Sequence, residues 1–241
     1  MQHKLADYKE NVLMLETSNL NFLLFGIYPY IAITVLFVGS WIRYDREPYS
    51  WKADSSQLLD QKGFRLASNL FHIGIIFVLM GHFVGLLTPH AIYHAFISTA
   101  NKQLLAMVSG GFFGVICLIG LVMLLKRRLT NPRVRAVSKT SDIFILVLLL
   151  VQLLLGLMTI FASMNHLDGS VMVLLGDWAQ SIATLQGVAA AQAITTVGII
   201  YKLHIFVGLT MLLVFPFTRL VHIISVPVKY FARNYQIVRQ R

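Results

Sequence analysis

Residues 66–87 read LASNLFHIGIIFVLMGHFVGLL. The stretch is apolar over about the 20 residues that a helix needs to cross a bilayer, and it carries two histidines, His72 and His82. Imidazoles are costly in hydrocarbon, so histidines inside such a segment are candidates for a functional site. A second apolar run near the C-terminus carries His204 and His222. We predict that these four histidines hold two haems in series across a membrane.

The composition is that of an integral membrane protein. Hydrophobic residues make up 57% of the 241 residues and charged residues only 12%, whereas soluble domains are about 25% charged. The net charge of +10 does not indicate a nucleic-acid-binding face, because the basic residues fall in short loops between apolar runs. The single cysteine, Cys117, excludes an internal disulfide and a four-cysteine iron–sulfur site. No C-x-x-C-H motif is present for covalent haem attachment, and we expect Cys117 to serve packing.

Five apolar runs are long enough to span a bilayer, and we expect them to be helices because a helix satisfies every backbone amide within its own segment. Their predicted bounds are 20–42, 66–87, 104–125, 143–162 and 198–226. The fold class is therefore an all-α membrane protein, with a five-transmembrane-helix bundle over residues 20–241. Residues 1–19 are polar and are expected to form an N-terminal arm. The connection from about residue 163 to 197 is expected to lie outside and to carry a short helix over the outer face.

The basic residues orient the bundle. Sixteen of the 20 lysines and arginines fall on one side: Arg43, Arg46, Lys52, Lys62, Arg65, Lys126, Arg127, Arg128, Arg133, Arg135, Lys139, Arg219, Lys229, Arg233, Arg239 and Arg241. The other four are Lys4, Lys9, Lys102 and Lys202. This bias predicts the N-terminus outside, in the periplasm, and the C-terminus inside, in the cytoplasm. The inner basic loops have two open uses, either topology with anionic lipid contact, or pairing with haem propionates or with an acidic partner.

Topology pairs the histidines by depth. The second span runs outward, so His72 lies deeper toward the cytoplasm than His82. The fifth span runs inward, so His204 is near the outer face and His222 near the inner one. The pairs are therefore His82 with His204 and His72 with His222. Separations of 10 and 18 residues give rises of roughly 15 and 27 Å, and tilted helices or inclined haem planes are expected to absorb that difference.

Two histidines at each depth suit a haem iron, which takes one axial ligand on each face. Zinc or iron held by protein alone takes three or four converging ligands. We expect Gly74, Gly81 and Gly208 to make room for the macrocycle. The alternatives for an intramembrane histidine are a hydrogen-bonded core residue or part of a proton relay. His90, His94 and His166 are expected to be solvated loop residues, and His3 belongs to the arm.

Several long motifs resemble those of one known family. These are SNLFHIG (68–74), GHFVGLLTPH (81–90), LLKRRLTNPRVRA (124–136) and FPFTRLVHIISVPVKY (215–230). They closely resemble the cytochrome b, or gamma, subunit of membrane-bound respiratory nitrate reductase, over roughly residues 25–240. The arm and the outer loop around 185–194 depart from the pattern of that family.

The resemblance implies a function that composition does not give. It implies a multi-pass subunit of the bacterial inner membrane that oxidises quinol near the outer face and passes electrons through two non-covalent b haems. The implied partners on the cytoplasmic side are an iron–sulfur (beta) subunit and a molybdenum-containing catalytic (alpha) subunit that reduces nitrate. The quinol-site lysine of the family falls on Lys102, beside His82. The alternatives are the di-haem anchor of another quinol-oxidising complex, or a histidine-relay proton transporter.

Overall fold

The computed structural model describes residues 19–51, 56 and 59–224, and these residues are helical with no strand among them. In chain order the helices are α1 (Tyr28–Arg46), α2 (Phe64–Leu87), α3 (His90–Tyr93), α4 (Thr99–Thr130), α5 (Pro132–Ala136), α6 (Thr140–Ser163), α7 (Ser170–Ala183), α8 (Gly187–Ala193) and α9 (Ile199–Val214). Five of them, α1, α2, α4, α6 and α9, are long and apolar enough to cross a membrane. The prediction of five spanning helices is confirmed. Residues 1–18 of the predicted N-terminal arm, including His3, lie outside the described residues.

The first span changes its hydrogen-bonding pattern near its start. A π-helical turn, Phe22–Ile27, leads into α1, which has Pro29 in its first turn. Proline has no amide hydrogen to donate, and a wider turn is one way for the backbone to accommodate this loss. Gly26 in the π-helical turn faces Gly187 of α8, where an added Cβ would lie 2.7 Å from a backbone oxygen. The lack of side chains at both positions lets α8 rest directly on the entry to α1.

Glycines bring α2 and α4 into close backbone contact. A Cβ on Gly74 would lie 2.6 Å from the Cβ and backbone nitrogen of Cys117. A Cβ on Gly120 would come still closer to the backbone nitrogen of Phe71. Gly74 was expected to make room for a macrocycle, and that expectation is wrong because α4 occupies the space above it. Cys117 is fully buried at this contact, as the packing prediction requires.

The predicted fifth span, 198–226, is not one helix. The α-helix ends at Val214, and two short 3₁₀ segments follow, Phe215–Phe217 and Arg219–Ile223. Pro216 provides the physical reason, since it cannot donate to the carbonyl four residues earlier. His222 therefore lies on a separate turn rather than on the helix that carries His204. The rise of roughly 27 Å assumed a continuous helix, and that assumption is wrong for residues 204–222.

Two half-buried arginines stabilise the end of the bundle that carries His222. Arg43 donates to the carbonyls of Pro216 and Thr218 at 2.6 and 2.8 Å, where α9 has broken. Arg127 donates to both Ser56 oxygens at 2.8 Å. Both arginines belong to the basic residues of the predicted inner loops. They donate hydrogen bonds within the chain, a use other than the lipid, propionate and partner contacts expected from the sequence.

The opposite end is covered by α7 and α8. Trp178 of α7 donates its indole N–H to the carbonyl of Phe25 at 3.0 Å. Gln180 donates to the carbonyls of Leu86 and Thr88, at the end of α2. The connection between residues 163 and 197 therefore carries a helix, α7, that lies over the ends of α1 and α2, as the prediction of a short covering helix in this connection requires.

Candidate functional site

The site lies in a slot between α2 and α9. Helix α2 packs extensively against α4, whereas α9 packs against α1 and α6 and makes few close backbone contacts with α2. An apolar stretch of 18 residues within α2 has a mean hydropathy of 2.2, yet only 6% of this stretch is buried within the chain. The helix thus turns a broad apolar face away from the protein, toward lipid and toward the slot.

Two pairs of histidines span this slot, and in each pair the imidazole on α2 faces its partner. His82 and His204 have ring centroids 5.9 Å apart, with ring planes tilted by 41°. His72 and His222 have centroids 6.4 Å apart, with planes at 73°. The structure thus brings together the partners expected from depth. A metal–imidazole bond is about 2 Å long, so imidazoles on opposite faces of one metal have centroids roughly 6 Å apart.

Backbone carbonyls orient three of the four imidazoles. The Nδ1 atoms of His72, His82 and His222 lie 2.7, 2.8 and 2.6 Å from the carbonyl oxygens of Ser68, Val78 and Arg219. A carbonyl can only accept, so each Nδ1 carries a proton, and the lone pair of the neutral imidazole is then on Nε2. Such a bond commonly fixes the tautomer of a metal-ligating histidine. These residues therefore fit an axial role.

His204 is held differently. Its ring lies against α6, where a Cβ on Gly156 would come within 2.9 Å of its Cε1. Its Nε2 is 3.5 Å from the side-chain nitrogen of Gln152, and Gln152 occupies the space above Gly208. Gly208 thus accommodates a protein side chain rather than the macrocycle assigned to it. Gly81 has no atom of the described residues within 4 Å of an added Cβ, so it alone of the three expected glycines borders open space.

A buried ion-pair cluster supports the turn that carries His222. Asp142, at the start of α6, pairs with Arg128 at 3.1 Å and with Arg219 at 3.8 Å. Burial lowers the pKa of His222, with the Arg219 charge adding to that effect and the bond to the Arg219 carbonyl opposing it. The neutral imidazole, which is the form that binds metals, is therefore favoured.

An apolar groove of about 590 Å³ runs along the C-terminal end of α2. His82 lies in its wall together with Phe83 and Ala179 of α7. Lys102 is not part of this wall, and its ammonium lies 3.6 Å from the ring centroid of Tyr93. The structure therefore places Lys102 in the first turn of α4, held over an aromatic face.

The remaining histidines of the described chain do not join the pairs. His90 and His94 are exposed and stack on each other with ring centroids 4.6 Å apart. His166 is exposed and contributes its carbonyl to Gln103. Among the described residues, no group of three or more His, Cys, Asp and Glu side chains converges as a metal site.

Two residues of the site were missed from sequence, Gln152 and Asp142. The signal for Gln152 was available, since it is the polar amide within an otherwise apolar fourth run, and polar groups within a span usually have a partner. Asp142 directly precedes that same run. Its role depends on ion pairs with residues distant in sequence, which hydropathy does not report.

Comparison with known proteins gives one consistent answer. The family model for the nitrate reductase gamma subunit matches residues 21–241. The chain is 55% identical to the respiratory nitrate reductase 1 gamma chain of Escherichia coli (strain K12), covering 92% of this chain and 98% of that one. It is 54% identical to the respiratory nitrate reductase 2 gamma chain of the same strain, with the same coverage. It is 36% identical to the nitrate reductase gamma chain of Bacillus subtilis (strain 168), covering 91% of this chain and 98% of the relative.

Proposed function

Since the chain belongs to the family of nitrate reductase gamma subunits, which confirms the resemblance, we propose that it is the quinol-oxidising membrane cytochrome b subunit of such a complex. In this role it is the electron-transfer part of a quinol:nitrate oxidoreductase, and nitrate itself is reduced on another subunit. The observation that carries the proposal is the pair of opposed histidines at each end of one slot.

The chain would hold two b haems. His82 and His204 would be the axial ligands of the haem nearer the outer face, and His72 and His222 those of the haem nearer the cytoplasm. When bound, haem would supply iron that accepts and releases single electrons. The slot supports this assignment because it is apolar and is not filled by contact between α2 and α9. The protonated Nδ1 atoms of three ligands leave Nε2 for the iron.

Quinol would bind at the groove beside His82. The groove walls are apolar and match the body of a quinol, and His82 in the wall would place the quinol next to the haem that it holds. Lys102 would hydrogen-bond a quinol oxygen and favour loss of its proton to the outside. Its ammonium is held over the Tyr93 ring by a cation–π contact, and it would move from there toward the groove.

The orientation of the chain follows from its charges. With the N-terminus outside and the C-terminus inside, the ends of α2 near His82 and His72 face the outer and cytoplasmic sides respectively. The relatives are named gamma chains, so further subunits belong to the complex. We assign the cytoplasmic side to an iron–sulfur subunit and a molybdenum-containing catalytic subunit, and the chain to the bacterial inner membrane.

An optical spectrum tests the haem assignment. Dithionite-reduced complex should show b-type bands with two haems per gamma chain. His204→Ala and His222→Ala should each remove a different haem and leave the other in place. A colourless, folded wild-type protein would refute the proposal and favour a proton relay through the same histidines.

The quinol site is tested by the two outer lysines. Lys102→Ala should slow reduction of the haems by quinol while leaving their number unchanged. Lys202→Ala is the matched control, because Lys202 is also on the outer side and donates to the Thr195 carbonyl at 2.9 Å. Normal reduction rates in Lys102→Ala, or an equal loss in both variants, would show that Lys102 has no specific part in quinol oxidation.

A further inference from the structure

The environment of His204 differs from that of the other three histidines. Those three each donate Nδ1–H to a backbone carbonyl of their own helical turn at 2.8 Å or less. His204 instead lies 3.5 Å from the amide nitrogen of Gln152, on a different helix. Within the described part of the chain, His204 Nδ1 and Gln152 Oε1 are both buried and have no hydrogen-bond partner.

Glycines bring the two side chains together. On α6, Gly156 lies one turn after Gln152 and leaves the space that the His204 ring enters. On α9, Gly208 lies one turn after His204, and an added Cβ there would be 3.0 Å from the Gln152 side-chain nitrogen. Each helix thus lacks a side chain where the other helix presents its polar residue. Glycines on both helices therefore make the contact between the two side chains possible.

The protonation of a metal-bound imidazole defines what the Gln152 amide must do. When a metal takes one ring nitrogen, the other carries the proton and can only donate. The acceptor that this requires is present next to the ring in the free Oε1 of Gln152. Rotation of the amide about its last side-chain bond exchanges its oxygen and nitrogen positions. No movement of either helix is needed.

We infer that Gln152 is the positioning residue for His204, with its amide oxygen accepting the N–H of ring Nε2, the nitrogen beside which the amide lies. Backbone carbonyls accept the Nδ1–H of the other three histidines, so His204 would differ from them in presenting Nδ1 to the metal. The inference rests on the proposed function, in which His204 is the axial ligand shared with His82. A hydrogen bond at the far nitrogen raises the basicity of a ligand and fixes its ring orientation. Its effect is confined to one haem, so the second haem is an internal control within the same molecule.

The test uses the complete complex in membranes and compares Gln152→Leu with wild type. Loss of the acceptor should raise the midpoint potential of the haem held by His82 and His204, or weaken its retention by about 10–100-fold, the usual effect of removing such a partner. The haem held by His72 and His222 should keep its potential and occupancy. Redox titration, paramagnetic resonance and haem content report these properties without relying on turnover.

Two further variants separate positioning from general packing. Gln152→Glu keeps a side-chain acceptor of the same length and should retain both haems, and it decides the matter if Gln152→Leu does not accumulate. Thr159→Val, which removes a hydroxyl bonded within α6 itself, should change neither haem. Variants lacking His82 or His72 identify which signal belongs to which pair.

The inference is overturned if both haems of Gln152→Leu match wild type, or if both change equally. It is also overturned if the haem held by His72 is the one affected. Absence of haem from the wild-type complex would instead refute the proposed function, so the two failures are distinguishable.

Discussion

Gly74→Ala tests one of the close backbone contacts between α2 and α4. The new Cβ would lie 2.6 Å from the backbone nitrogen and 2.7 Å from the Cα of Cys117. Backbone atoms cannot rotate away, so α2 and α4 would have to separate by roughly 1 Å to reach the 3.5–4.0 Å at which carbon atoms pack. Overpacking of this kind costs about 1–3 kcal/mol. For a chain of this size, that corresponds to a fall in melting temperature of roughly 2–12 °C.

The assay is thermal unfolding of the purified complex, followed by circular dichroism at a fixed scan rate. Gly110→Ala on α4 is the matched control, because an added Cβ there meets no atom of the described residues within 4 Å. We expect the control to change stability by less than about 0.5 kcal/mol. If Gly74→Ala melted at the same temperature as Gly110→Ala, the close approach of α2 to α4 would be wrong.

Three more predictions concern residues that support the site. Asp142→Asn should destabilise the protein by about 3–5 kcal/mol, because it leaves a buried arginine without its counter-charge; a melting temperature equal to wild type would contradict this. Arg43→Gln should release the broken end of α9 and preferentially deplete the haem held by His222, and equal loss of both haems would argue against that local role. Tyr93→Leu should speed quinol-driven haem reduction by up to about 2–30-fold, because the cation–π contact opposes the movement of Lys102 from the Tyr93 ring toward the groove, while Tyr93→Phe keeps the ring; similar rates in all three proteins would show that the contact does not restrain Lys102.

The histidine partners could be predicted because they depend on long-range averages of the sequence. Hydropathy located the spans, and charge bias gave each a direction, so His82 fell at the depth of His204 and His72 at that of His222. Neither step needs to know which helices touch. The same averages overlooked the break at Pro216, because apolar residues continue on both sides of it and one proline changes mean hydropathy little.

Residue type also failed to predict which neighbour each glycine faces. Gly74 meets a helix backbone, whereas Gly81 on the same helix borders open space. The difference depends on where α4 crosses α2, which is a property of tertiary packing. Gln152 is recognisable in the sequence as the polar amide of its span, but its partner His204 lies on another helix, so the pairing was not predictable.

The break after Val214 also bears on how the site is assembled. Each histidine of α2 must wait for a partner from the last part of the chain, and a ribosome releases the N-terminal residues first. At roughly 5–20 residues per second, the interval between synthesis of His82 and His204 is on the order of ten seconds. His222 follows His204, and its turn must then fold against Arg43. The pair of His72 and His222 would thus be completed later during biogenesis than the pair of His82 and His204.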